Sequence, residues 1–340
     1  METGPVVQTN GLTKRYGSFS ALDGLSITVE SGQILGFIGP NGAGKTTTIR
    51  ILVGLLRATQ GSATIAGADC MRESRKIKRL VGYMPDVFGT YENMRVTEYL
   101  DFFGAAYGIG RKQRKRRIAE VLETAGANEM NDLFVESLSH GMRQRVAVAR
   151  TLIHDPQVLI LDEPANGLDP QARIDMRKLL LRLADMGKTL IVTSHILPEL
   201  SRICSVIAII TFGKLRAFGP LADIMSHIQQ RRTFEIQLPH REQLEETRRL
   251  LMVRDATDDS QPISTSNTES VVRFDTDRKD EDLAQLLAKL TDAGIAISQF
   301  REVALDLEDA FLSVTGKQVI PKDEPPADNP PKTVPAVTEE

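Results

Sequence analysis

Apolar residues along this chain follow two rhythms. Short unbroken runs of Ile, Val and Leu recur at Ile34–Ile38, Val158–Leu161, 189–192 and 206–210. Each is bounded by turn or polar residues, the pattern of strands buried on both faces. Longer stretches between them place apolar residues at helical spacing, so residues 5 to about 220 predict a mostly parallel sheet covered on both faces. A second zone, about 232–316, reads strand, helix, strand, helix, strand, helix. Within it Leu283, Leu286, Leu287 and Leu290 fall at i, i+3, i+4 and i+7, predicting an amphipathic helix over 281–292 that ends near Gly294. Leu307, Ala310, Phe311 and Val314 repeat that spacing in a last helix, closed by Gly316. The polar stretch 255–270 reads as a mobile loop. Residues 320–340 hold six prolines and almost no apolar periodicity, so they are expected to be disordered.

Composition narrows the picture. The chain has 340 residues, 41% of them hydrophobic, with 25 glycines, which excludes general disorder. Its 42 Lys and Arg stand against 45 Asp and Glu for a formal charge of −3, so no nucleic-acid partner is expected. No apolar stretch approaches the roughly 20 residues needed to cross a bilayer. Residues 1–10 lack the basic start and apolar run of a secretion signal. Cys70 and Cys204 form no CxxC pair, which predicts a reducing compartment with both thiols as core filler. These features predict a soluble cytosolic protein.

The chemistry concentrates in two places. Gly39, Pro40, Asn41, Gly42, Ala43, Gly44, Lys45 and Thr46 fit the G-x-x-x-x-G-K-[ST] phosphate loop, preceded by a strand and followed by a helical run at 47–56. Glycines let the backbone wrap a polyphosphate with its N–H groups turned inward, and the helix N-terminus, with Thr47 in its first turn, adds partial positive charge. Lys45 is expected to reach the β- and γ-phosphates, and the Thr46 hydroxyl to ligate Mg²⁺. The second place is Val158–Leu161, a buried strand ending in Asp162 and Glu163. Asp162 is placed for the Mg²⁺ shell and Glu163 for polarising an attacking water. No Asn-Lys-x-Asp motif for reading guanine is present, so the nucleotide is expected to be ATP. Tyr16 is either a stacking platform for adenine or a surface aromatic in a turn, and position alone leaves both open.

The ordered set of Tyr16, Gly39 to Thr46, Met84-Pro85-Asp86, Leu138-Ser139-His140-Gly141-Met142, Leu161 to Pro164, Gly167-Leu168-Asp169 and Ser194-His195 resembles the nucleotide-binding subunit of ATP-binding cassette (ABC) transporters. These elements match that family's aromatic loop, Walker A, Q-loop, signature, Walker B, D-loop and switch histidine, in the family's order. Leu307-Glu308-Asp309-Ala310-Phe311-Leu312 also resembles the end of ABC-2-type exporter ATPases. The resemblance implies an α/β P-loop NTPase core with antiparallel β and helical subdomains over 5–222, a small α+β accessory domain over 232–316 and a Pro/acidic tail at 320–340. It implies Mg²⁺-dependent ATP hydrolysis by two cassettes, identical or not, closing head to tail over two ATP molecules. Ser139, Gly141 and Met142, opening a helix over 142–154, would face the γ-phosphate held by the partner. His195 would sense the γ-phosphate, and Asp169 would act across the interface. It further implies polytopic ABC-2-type membrane subunits as partners, with this chain on the inner face of the cytoplasmic membrane, powering export. The alternative is a soluble ABC ATPase acting on nucleic acid or ribosomes. Such proteins usually join two cassettes or insert a long coiled coil.

Two departures from the family pattern stand out. His140 replaces the first signature glycine and Met142 the usual Gln. Asp86 occupies the Q-loop position of a Gln. An ionised Asp only accepts hydrogen bonds, and a like-charge pair at about 4 Å repels by about 4 kcal/mol at an effective dielectric near 20. Asp86 is therefore expected either to bind Mg²⁺ through water or to sit back and serve the membrane partner. Six of the seven residues at 111–117 are basic, read as the solvated opening of a helix completed by Ile118, Val121 and Leu122, or as an anion-facing run. Tyr99, Phe102, Phe103 and Ala106 have helical spacing and are read as core. Phe88 and Tyr91 are candidates to line the groove where a membrane subunit docks.

Overall fold

The computed structural model describes residues 4–86, 89, 93–194, 197–228, 232–252, 263–266, 270–276 and 278–303. The chain opens with β1 (Val7–Tyr16) and β2 (Phe19–Val29), an antiparallel pair, then enters the central strand β3 (Ile34–Ile38) and helix α1 (Lys45–Leu52). Strands β4 (Gln60–Ile65) and β5 (Ala68–Asp69) complete a four-stranded antiparallel sheet of order β2-β1-β4-β5. Next come α2 (Ser74–Leu80), β6 (Val81–Met84) and three helices, α3 (Val96–Ala106), α4 (Arg111–Ala125) and α5 (His140–Leu152). The chain then alternates through β7 (Val158–Leu161), α6 (Pro170–Asp185), β8 (Thr189–Thr193), α7 (Leu197–Ser201), β9 (Val206–Thr211), β10 (Lys214–Pro220) and α8 (Leu221–Ile228). The large sheet has order β10-β9-β3-β8-β7-β6, parallel except for β10.

The interior of each parallel strand is predominantly apolar because its alternate residues serve two cores, with polar residues such as Thr189, Thr193 and Thr211 at strand ends. Leu35, Phe37, Ile160, Ile191, Ala208 and Ile210 pack with Leu12, Leu22, Leu25, Ile49 and Ile65 beneath the antiparallel sheet. Ile34, Ile38, Leu159, Leu161, Leu190, Val192, Ile207 and Ile209 pack with helices α3 to α6 on the opposite face. Both cysteines are buried and free. Burial pushes the Cys70 thiol up to about 12, and Cys204 is shifted the same way. Gly36 leaves room for Cys204, since a Cβ there would stand 2.8 Å from its Sγ.

The second zone forms its own four-stranded antiparallel sheet. Its elements are β11 (Arg232–Gln237), α9 (Leu244–Met252), β12 (Ser264–Ser266), β13 (Val271–Thr276), α10 (Asp280–Asp292) and β14 (Gln299–Val303), with sheet order β12-β13-β11-β14. Phe234, Ile236, Val272 and Phe274 pack against Leu244, Leu251, Leu283, Leu286 and Leu290 of the two helices in a separate apolar cluster. On the other sheet face the buried Glu235 accepts from Arg273 Nε at 2.7 Å and Arg301 Nε at 2.8 Å. Burial alone would raise its carboxyl pKa, but the bonds and charges of both arginines outweigh that and hold it below the usual value.

Several expectations are corrected. The polar stretch 255–270 is not loop throughout, because β12 lies inside it and pairs with β13 just beyond. Helix α1 starts at Lys45 and stops at Leu52, short of Leu56, because Gly44 and Gly54 take positive φ at its two ends. Tyr99 is fully buried, whereas Phe102 and Ala106 are exposed, so that helix presents only part of its apolar stripe to the core. The basic run is not only a solvated face. Arg114 pairs with Asp101 at 2.6 Å, and Arg117 donates to the Leu152 and Ile153 carbonyls at the end of α5. The expected last helix and the tail at 320–340 lie outside the described residues.

Arg117→Ala leaves those carbonyls without their cationic partner and should cost about 1–2 kcal/mol of stability. Arg116→Ala removes only an exposed i,i+4 pair with Glu120 and should fall within about 0.5 kcal/mol of wild type. Denaturant unfolding of the two variants measures the difference.

Candidate functional site

The carboxyl ends of four neighbouring strands deliver the predicted residues in a row. Strand β3 ends into the Gly39 loop, β8 ends at Thr193, β7 at Asp162 and Glu163, and β6 at Asp86. Ligands of open parallel sheets bind outside this edge, because the loops and helix N-termini meet there.

Close backbone approach shapes the phosphate loop. A Cβ on Gly39 would stand 2.4 Å from the Ile210 carbonyl oxygen, and one on Gly44 would stand 2.7 Å from that of Ala21. Gly44 also has φ of 109°, a conformation that L side chains rarely adopt, and it caps α1. The Lys45 ammonium donates to the Gly39 carbonyl at 2.5 Å and the Pro40 carbonyl at 3.2 Å, folded back under the loop. Burial lowers its pKa, while the charges of Glu163 and Asp162 act the other way. Asn41, Gly42 and Thr46 are exposed, Pro40 and Thr47 half-buried, and Ala43 buried.

A residue that the sequence reading missed ties the acids together. The Thr193 hydroxyl donates to Asp162 Oδ1 at 2.6 Å and accepts from the Glu163 backbone N–H at 3.0 Å. The Asp162 N–H donates to the Met84 carbonyl at 2.8 Å, joining β7 to the end of β6. Glu163 itself sits at φ of 52°, a left-handed conformation costing about 1–2 kcal/mol for a non-glycine residue. Such strain persists where the surroundings over-determine it. The only sequence signal for Thr193 was a polar residue closing a buried apolar run. The oxygen donors of Thr46 and Asp162 suit a hard divalent cation such as Mg²⁺.

Asp86 is exposed, and its Oδ1 accepts from Asn166 Nδ2 at 3.5 Å. Tyr83, one strand turn earlier, has its pKa raised, first by burial and then by the charge of Asp162. Helix α5 begins at His140, not at Met142, because Ser139 is its N-cap and accepts from the Met142 N–H at 3.3 Å. The His140 ring meets the Asn166 carbonyl at 2.8 Å, a contact no spacing argument offered. Asp169 caps α6, accepting from the Ala172 N–H at 2.9 Å. Tyr16 is half exposed, with the Lys14 ammonium 4.9 Å from its ring centroid. His195, Phe88 and Tyr91 lie outside the described residues.

Beside this edge a groove of about 350 Å³ opens, lined by Leu55, Tyr83, Pro85, Phe103, Tyr107 and His154 among others. Leu55 is 62% exposed there. His154 stacks on Tyr107 with centroids 3.9 Å apart and donates from Nε2 to the Val81 carbonyl at 3.1 Å. Burial pushes its pKa down to about 4, so the imidazole is neutral near pH 7.

Residues 22–166 match the family model described as ABC transporter. The chain is 38% identical over 223 residues to the Nod factor export ATP-binding protein I of Ralstonia nicotianae, covering 66% of this chain and 70% of that protein. It is 42% identical over 211 residues to the bacitracin transport ATP-binding protein BcrA of Bacillus licheniformis, covering 62% and 68%. Among solved structures, one titled as an ATP-binding subunit of an ABC transporter superposes with a TM-score of 0.60 at 28% identity, covering 66% of this chain and 93% of that one.

Thr193→Val keeps the shape but strips Asp162 of its hydroxyl donor and Glu163 of its backbone acceptor. Turnover should fall about tenfold or more while the protein stays folded. Glu163→Gln should keep nucleotide binding and nearly abolish turnover. Steady-state phosphate release beside equilibrium nucleotide binding separates the two effects.

Proposed function

This chain belongs to the ABC transporter ATP-binding family, and from that premise we propose that it powers export through separate membrane subunits by closing as a dimer on Mg²⁺ and ATP. The observation that carries the reading is the row of strand ends, with the phosphate loop, the Thr193 hydroxyl, the two acids and Asp86 on consecutive strands. A lysine lying under the loop, within reach of both acids' charge, gives up its two carbonyl contacts for the β- and γ-phosphates of ATP.

The site residues then divide the work. Backbone N–H groups of the loop from Gly39 to Thr47, Pro40 excepted, cradle the phosphates at the start of α1. Thr46 and Asp162 would hold Mg²⁺, which when bound would neutralise charge on the phosphate oxygens. Glu163 orients a water for in-line attack on the γ-phosphorus and takes its proton, while the bond to the bridging oxygen breaks and ADP departs. His195 donates to the γ-phosphate, and Tyr16 stacks on adenine. Ser139, Gly141 and Met142 present the start of α5 to the γ-phosphate held by a second cassette, and Asp169 meets that cassette across the interface.

No helix among the described residues is long and apolar enough to cross a membrane. Relatives named for Nod factor export and bacitracin transport support an export role, in which the pathway belongs to ABC-2-type membrane subunits. The cassette sits beneath them on the inner face of the cytoplasmic membrane. The groove between Leu55, Pro85 and Tyr107 offers such a subunit an apolar seat next to the Asp86 strand end. The cassette of residues 5–222 then drives transport, and the 232–316 unit is an accessory domain with its own core.

The purified full chain should release phosphate from ATP, and chelation by EDTA should abolish release. Failure to hydrolyse ATP with Mg²⁺ present would sink the reading. Leu55→Glu combined with Tyr107→Glu should leave that soluble activity intact while removing a polytopic protein from the detergent-solubilised complex, as read by mass spectrometry.

A further inference from the structure

Two positions at which this chain departs from its family's pattern, His140 in the signature and Asp86 at the Q-loop position, converge on one residue. Asn166 lies between them, three residues after Glu163. Its backbone carbonyl meets His140 Nε2 at 2.8 Å, and its side-chain amide donates to Asp86 Oδ1 at 3.5 Å. We propose that His140, Asn166 and Asp86 are positioning residues that tie the partner-facing signature segment to the chain's own hydrolytic edge. This inference rests on the reading of the chain as an ATPase that closes head to tail as a dimer.

The chemistry of each contact is specific. A carbonyl accepts only, so His140 carries its proton on Nε2 and donates. A glycine at 140, the family's usual residue, has no side chain to reach Asn166. A carboxylate at 86 accepts only, which matches the amide N–H₂ of Asn166. The backbone between them is held at both ends. The Asn166 N–H donates to the Glu163 carbonyl at 3.0 Å, and Gly167 turns with φ of 68° directly against the imidazole. A Cβ on Gly167 would stand 3.2 Å from His140 Nε2, so the ring is seated on that turn. Ser139, the residue before His140, caps α5, and in the proposed dimer it is the residue turned to the second cassette. The turn that carries Asn166 begins at Glu163, whose own N–H is held by Thr193. Motion of Ser139 against a nucleotide on the partner therefore reaches Glu163 through one hydrogen bond and one tight turn, and reaches Asp86 through a second hydrogen bond.

A contiguous chain of contacts becomes a coupling device only if breaking it changes cooperativity, so the test reads cooperativity. Phosphate release by the full chain is measured against ATP concentration, and ATP-dependent dimerisation is followed by light scattering in the Glu163→Gln background. His140→Ala should raise the half-saturating ATP concentration about fivefold and bring the Hill coefficient toward one. His140→Gln, whose amide N–H can take the place of Nε2–H, should restore both. Asp86→Ala and Asn166→Ala should each lower the Hill coefficient, and the double variant should be no worse than the more affected single one. His140 and Asp86 are exposed, so the variants are compared at a shared melting temperature. If His140→Ala and Asp86→Ala both melt and hydrolyse ATP with wild-type cooperativity, the coupling is overturned while the ATPase reading stands. If the wild-type chain neither dimerises nor hydrolyses ATP, the ATPase reading falls and the coupling with it.

Discussion

A parallel sheet buried on both faces is the constraint on which the rest of this structure depends. Strands in such a sheet expose no residue along their length, so polar chemistry is confined to their ends. All five parallel strands run the same way, which gathers the loops after β3, β6, β7 and β8 at one edge. Helix α1 leaves from that edge with its N-terminus toward the same space, so partial positive charge from the backbone and negative charge from the acids meet there.

The edge is then held to tight tolerances by small contacts. Gly39 and Gly44 pass within van der Waals distance of neighbouring carbonyls, so any side chain there would push the loop outward. The Thr193 hydroxyl spans two strands, donating to one acid and accepting from the backbone of the next. That bond keeps Asp162 in place while buried, and it holds Glu163 in a left-handed conformation that its own sterics disfavour. Lys45 answers the negative charge of both acids, while two loop carbonyls accept from its ammonium.

Away from the edge, charged side chains do different work. Arg117 reads as one more cation in a basic run, but its guanidinium closes the end of α5 by taking two helix carbonyls and Asp155. Glu235 shows the same economy in the C-terminal sheet. A carboxylate at the centre of a sheet face is tolerable only because Arg273 and Arg301 stand directly across from it on the two neighbouring strands. Cross-strand register places those pairs, and register is invisible in a linear reading of charges.

Local sequence determined what each segment could become. The spans of β3 and β7 were legible to the residue because both faces are buried and the apolar runs are unbroken. The phosphate loop and the Asp162–Glu163 pair were legible because their chemistry is carried by adjacent residues. The helix α10 stripe was legible because three of its four leucines, Leu283, Leu286 and Leu290, are buried in a single core. Tertiary structure decided what depends on contacts between distant segments. The aromatic stripe of α3 was only half buried, since Phe102 faces away from the core. β12 required β13 to pair with, and its own three residues carry no strand signal. Thr193, Asn166 and His140 lie far apart in sequence from the groups they hold, so their hydrogen bonds exist only once the strand ends have been brought into line.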